Sequence, residues 1–243
     1  MTWAKVVLMY LHPRMKRYLY TLSILSCLAF TGCLQIAEEL FLEADGSGRY
    51  ETRIDASRMI EMMEMVKNFL PDSLRNQPEL SGAGLNDSLL GNWTGLDKIP
   101  GISAIERRRQ EGGMQVLSFR FRNIQALNHA LNARNAPPSA NPIPDSLQIF
   151  ALQKGRLVWN HPLPDAMGDI TGALPADQGL SPDMLRNMAG EMTYTTILHL
   201  PGNITDHTNK QARLGADGRT ITMVTDLLDR ESLRARHNDI KFK

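Results

Sequence analysis

Of the two cysteines in this 243-residue chain, Cys33 is the one whose setting suggests a use. Lys16 and Arg17 precede a mostly apolar run of 13 residues, Tyr18 to Phe30, and the small residues Thr31 and Gly32 follow it. A positive start, a short apolar run and small residues before a cut is the order of a secretory signal. Cleavage after Gly32 leaves Cys33 as the first residue, with its thiol as the candidate lipidation site. The alternative, an uncleaved anchor, fits less well, because a spanning helix wants about 20 apolar residues and this run is broken by Thr21, Ser23 and Ser26. Met15 is the expected start. Cys27 is lost with the signal, so no free thiol is left for disulfides, metal binding or nucleophilic catalysis.

Arg107, Arg109, Arg120 and Arg122 form a second candidate site, a cationic patch on neighbouring strands. Guanidinium groups suit phosphates and carboxylates, so the expected partner is an anionic lipid headgroup, lipopolysaccharide or an acidic envelope protein. Glu106 and Glu111 offset part of that charge. The histidines are scattered, with no HExxH or HxH spacing, although His199 and His207 are placed to approach across Pro201. Zinc usually takes three or four ligands, so no metal and no cofactor is expected. Asp45-Gly46-Ser47-Gly48 is a turn, because Arg49 and Tyr50 stand where an EF-hand needs a ligand and its glycine. Met59, Met62, Met63 and Met65, with Met167, Met184, Met188 and Met192, suit either core or a pliable groove for an apolar ligand. No GxSxG elbow, P-loop or dinucleotide fingerprint occurs, and catalysis is not expected.

Composition narrows the partner class. Residues 1–32 carry four basic residues and no acidic one, so removing them takes the formal charge from +1 to −3. A strongly basic footprint for nucleic acid is absent. The remaining 211 residues, 33–243, suit one large or two small domains, with a candidate boundary at the proline-rich stretch 136–144.

The elements that position these residues read mainly as hairpins. Leu34, Ile36, Leu40 and Leu42 alternate with polar residues, and after the turn at 44–48 Tyr50, Thr52 and Ile54 alternate again, which predicts a hairpin over 34–55. A helix with a methionine-rich face follows, ended by Pro71. Residues 71–100 read as a long loop with one helical turn. A second hairpin is expected over 102–109 and 114–122 and a helix over 123–134, so a ββα order occurs twice. A third hairpin turns at Lys154-Gly155, between segments 147–152 and 156–159, and a loop fills 160–180. Then come a short helix at 181–189, a strong strand through Met192, Tyr194, Thr196, Leu198 and Leu200, a strand pair near 210–215 and 219–225, a last short helix and an edge strand at 240–243. The predicted class is α+β, a predominantly antiparallel sheet built from hairpins with helices packed on one face.

Phe30-Thr31-Gly32-Cys33 resembles the lipobox of bacterial lipoproteins, which implies diacylation of Cys33 and usually a third chain on its amino group. Phe30 departs from the leucine preferred there, and Ile24-Leu25-Ser26-Cys27 is a competing match with a shorter apolar run behind it. Leu34 stands where aspartate favours inner-membrane retention in enterobacterial lipoproteins, which implies the outer membrane, and residues 34–37 lack the acidic run seen after the cysteine in surface-exported Bacteroidetes lipoproteins, which implies a position facing the periplasm. Leu34 to Glu43, the Asp45 to Gly48 turn, Tyr50 to Asp55 and the methionine-rich helix, with the closing pattern from Thr193 to Leu228, are similar to the LppM-like group of bacterial envelope lipoproteins. That resemblance covers about half the mature chain and brings no catalytic residue. The expected function is a lipid-anchored, non-enzymatic binding or structural component. A carrier of an apolar or lipid ligand is the alternative, and an envelope hydrolase stands third.

Overall fold

The computed structural model describes residues 34–58, 60–61, 93, 95–110, 113–135, 148–160, 190–229, 231–232 and 237–243. The chain divides into two units, Met1–Gly32 and Cys33–Lys243, and all described residues belong to the second. Alternating sequence gives alternating burial: along β1 (Leu34–Leu42) the even-numbered positions are buried and the odd ones face outward. β2 (Gly48–Asp55) pairs with it antiparallel, Leu40 opposite Tyr50 and Ile36 opposite Ile54. The second hairpin, β3 (Ile102–Arg109) and β4 (Met114–Phe121), joins by pairing β4 with β2. Asn123 then caps α1 (Ile124–Asn135), its Oδ1 accepting from the Ala126 N–H at 2.9 Å, as a helix start requires.

The remaining strands are β5 (Phe150–Gln153), β6 (Arg156–Asn160), β7 (Met192–His199), β8 (Ile204–His207), β9 (Arg213–Leu214), β10 (Thr220–Asp226) and β11 (His237–Phe242). They sort into two sheets, one ordered β3-β4-β2-β1-β7-β10-β9 and one ordered β5-β6-β11-β8. Pairing is antiparallel except at the middle of the larger sheet, where β1 lies parallel to β7 with Leu34 opposite Met192. A main cluster joins Leu40, Tyr50, Phe119 and Leu198 of the large sheet to Leu127 and Leu131 of α1 and to Phe150, Leu157, Trp159 and Ile240 of the small one. Asn128 ties helix to sheet, taking the Phe150 N–H at 2.8 Å and donating to the Phe150 carbonyl at 2.7 Å.

This overturns the predicted class. The protein is mostly strand, with two sheets and one α-helix among the described elements, and the layer expected to be helical is largely a second sheet. Alternation states which residues of a strand turn inward, but not which sheet the strand joins. Leu157, Trp159 and Ile240 bury against the large sheet's inner face, where helices were expected. The segment at 240–243 is no edge either, since β11 lies between β6 and β8. The three predicted hairpins, the helix at 123–134 and the strands through Met192 and Thr220 are present. β8 has no counterpart among the expected strands. The methionine-rich face beyond residue 61, most of the loop 71–100, the stretch 136–144 and the segment 161–189 lie outside the described residues.

Candidate functional site

The inner face of the large sheet carries a polar row across its apolar surface. Thr52 and Thr196 flank Glu38 on the neighbouring strands, and all three are buried. Arg134, in the last turn of α1, forms an ion pair with Glu38 that is closed off from solvent on both sides. The Trp93 ring lies 5.3 Å from the Arg134 guanidinium. Burial is the largest single influence and opposes the Arg134 charge, but Glu38, Tyr50 and Tyr194 together outweigh it and hold the guanidinium above its usual range. The Tyr50 hydroxyl is buried beside the same carboxylate without a well-directed hydrogen bond. Burial first, and the Glu38 charge second, push it well above the usual tyrosine range. The row divides the main core from a smaller cluster of Leu34, Ile36, Ile54, Met192, Tyr194, Leu227 and Leu228. Buried as it is, this ion pair ties α1 to β1.

The outer face carries a different set of polar contacts. His199 bridges Glu39 through Nε2 at 2.7 Å and Thr220 Oγ1 through Nδ1 at 3.0 Å, while the Thr220 hydroxyl donates to Asp217 Oδ2 at 2.6 Å. The imidazole stacks on Phe41 with centroids 4.3 Å apart, and the Arg49 guanidinium lies 4.3 Å from the Phe41 ring centre. Glu51 is buried between Arg49 and Arg53 at 2.8 and 2.6 Å. His207 is on the small sheet, its Nδ1 3.1 Å from the Asn209 carbonyl, so the turn at Pro201 separates it from His199 into another layer. Among the described residues no group of three or more His, Cys, Asp or Glu is placed to hold a metal ion.

The four arginines singled out by sequence fall on two faces. Arg107 and Arg109 stand opposite Leu117 and Gln115, in the inward phase of the edge strand, whereas Arg120 stands opposite Ser103 and Arg49 in the outward phase. A register shift between Ser103 and Glu106 produces the change of face. Arg107 donates to the Trp93 carbonyl. Arg122 follows the end of β4 with its side chain exposed and its N–H bonded to the Gly101 carbonyl at 2.8 Å. Gly32 and Cys33 lie outside the described residues. Among those described, no helix is long and apolar enough to cross a membrane.

Sequence reasoning missed an open cleft of about 760 Å³ at the far end of β1, lined by Ala44, Lys154, Arg156, Thr205, Lys241 and Lys243 and floored by Gly155, Pro201, Gly202 and Phe242. Asp239 holds Arg156 through Nε at 2.8 Å and Nη2 at 2.6 Å, and Asp206 holds Lys241 at 3.0 Å. Among the described residues Lys154 and Lys243 have no carboxylate partner. Backbone bonds fix the walls: Asn203 and Lys243 exchange N–H···O bonds of 2.7 and 3.0 Å, and the Phe242 N–H donates to the Gly155 carbonyl at 2.9 Å. Gly202 permits this closeness, because a Cβ there would sit 2.3 Å from the Lys243 carbonyl oxygen. The available signal was the cationic tail Lys241-Phe242-Lys243 together with the Lys154-Gly155 turn, but only tertiary structure brings them together.

No family model matches the chain, and no curated protein matches it. It is similar to the NMR structure of the Mycobacterium tuberculosis LppM folded domain, with a TM-score of 0.42 and 9% identity over 88% of this chain and 92% of that one. A likeness at that level carries no argument about family, fold or mechanism.

Proposed function

We propose that this chain is a lipid-anchored lipoprotein of the bacterial envelope, tethered through Cys33 at the outer membrane and facing the periplasm, whose β-rich domain is a non-enzymatic binding component. The observation that carries the reading is the position of Leu34. It is fully buried, it opens the central strand β1, and it follows Cys33 directly in sequence. A lipid on Cys33 would therefore attach to the middle of a folded sheet with no linker between. More than one acyl chain is needed for stable anchoring, which a diacylated and N-acylated cysteine supplies. The test is metabolic labelling of the full chain with palmitate: Cys33→Ser should abolish incorporation. Labelling that persists in Cys33→Ser and disappears in Cys27→Ser would transfer the anchor to Cys27, and labelling of neither the parent nor the variants would remove the reading.

A further inference from the structure

We infer that the cleft at the distal end of β1 is a binding site for a phosphate-bearing ligand that arrives from the aqueous side, away from the anchored end of the sheet. Four cations surround one concavity, and only two of them have carboxylate partners among the described residues. Two ammonium groups without carboxylate partners give the cleft a positive character that suits the multiple charge of a phosphate monoester, about −1.5 to −2 near neutral pH. The type of cation decides between anions. Arg156 already spends its planar fork on Asp239, and that fork is the geometry suited to a carboxylate. The cations still able to turn toward a ligand are lysine ammonium groups, point charges that serve the oxygens of a tetrahedral phosphate. The walls are set in advance by the Asn203–Lys243 and Gly155–Phe242 backbone bonds, so little ordering is needed on binding.

The direction of supply follows from the course of β1. Eight rises of about 3.3 Å put about 26 Å between Leu34 and Leu42, and Ala44, just beyond, lines the cleft. Among the described residues the end of the sheet next to Cys33 instead carries carboxylates, with Asp55 opposite Gln35, Asp226 opposite Thr193, and Glu191 just before β7. Anionic headgroups of the anchoring bilayer would therefore meet like charge at the near end and lie well short of the cations at the far end. The direction rests on the anchoring proposed above, whereas the phosphate site does not.

The experiment uses the full chain in phosphatidylcholine nanodiscs and titrates inorganic pyrophosphate, dihexanoyl phosphatidic acid and citrate by calorimetry. Saturable binding of either phosphate compound is expected, about tenfold or more weaker in Lys154→Gln/Lys243→Gln, unchanged in Lys98→Gln on the 3-10 turn at Leu96–Lys98, and weakened by salt. The tighter of the two phosphate compounds identifies the source as free phosphate or lipid headgroup. Binding of neither, equal binding by the double lysine variant, or citrate binding as tightly as pyrophosphate overturns the site. Pyrophosphate binding that is competed away by long-chain phosphatidic acid placed in the protein's own disc overturns the direction. Failure of palmitate labelling leaves the titration interpretable, so the two proposals fail separately.

Discussion

Glu38 and Arg134 are the pair of residues on which the joint between helix and large sheet depends. Removing one partner of a buried ion pair leaves the other charged and unsolvated, which costs about 3–5 kcal/mol, whereas replacing both with apolar residues is often neutral. Glu38→Gln or Arg134→Met alone should therefore lower the urea midpoint sharply, and Glu38→Leu/Arg134→Met should be more stable than either. A double variant less stable than both singles would refute this account. Part of the pair was legible, since Glu38 is an acidic residue in the inward phase of an otherwise apolar alternation. Arg134 was not, because an arginine in a helix's last turn usually faces solvent. Asp217 gives a pH test at the surface. The Thr220 hydroxyl and the N–H groups of Arg219 and Thr220 hold its carboxyl at about 2, below the usual 3.8. Its folded value is the lower one, so its contribution is fully present above the unfolded value and is lost as pH falls through about 2. Asp217→Asn should be less stable than the parent at pH 6, with the gap closing as urea unfolding is repeated down to pH 2. A gap of constant size would show that the carboxylate charge is irrelevant.

Hairpins were the elements best read from sequence, because each joins two alternating runs through a turn of glycine and polar residues and so depends only on neighbours in the chain. Gly48 illustrates how tightly the first of them is built. A Cβ there would lie 2.0 Å from the Phe41 carbonyl oxygen and 2.6 Å from Phe121 Cζ, so both the strand partner and the aromatic ring must shift. Gly48→Ala should cost about 1–3 kcal/mol or more, read as a lower thermal midpoint, and an unchanged midpoint would mean that the strand ends yield freely. The less legible elements are those whose partners are distant. Ile204-Thr205-Asp206-His207 lacks apolar alternation and is a strand only because β11 offers it a ladder. The parallel union of β1 with β7 depends on residues separated by most of the domain. Where the arginines face was not legible for a local reason, the irregularity between Ser103 and Glu106, which puts Arg107 and Arg109 in the opposite phase from Arg120.

At the scale of the domain, protection should follow position in the large sheet. β1 and β7 lie inside it, while β3 and β9 close its two ends. Amides of β1 and β7 should exchange slowest with deuterium and those of β3 and β9 fastest, since local opening is easiest where fewest neighbours must be released. Edge amides as protected as those of β1 would imply that other parts of the chain cover the edges. The parallel pairing also has a consequence for how the chain is made. Leu34 finds its Met192 partner only after about 160 further residues have emerged behind it. During that interval β1 has β2 on one side and an open ladder of N–H and C=O groups on the other, the kind of surface on which chains aggregate. Synthesis order thus sets a hazard that the finished fold conceals: the strand that ends at the centre of the sheet spends its early life as an edge.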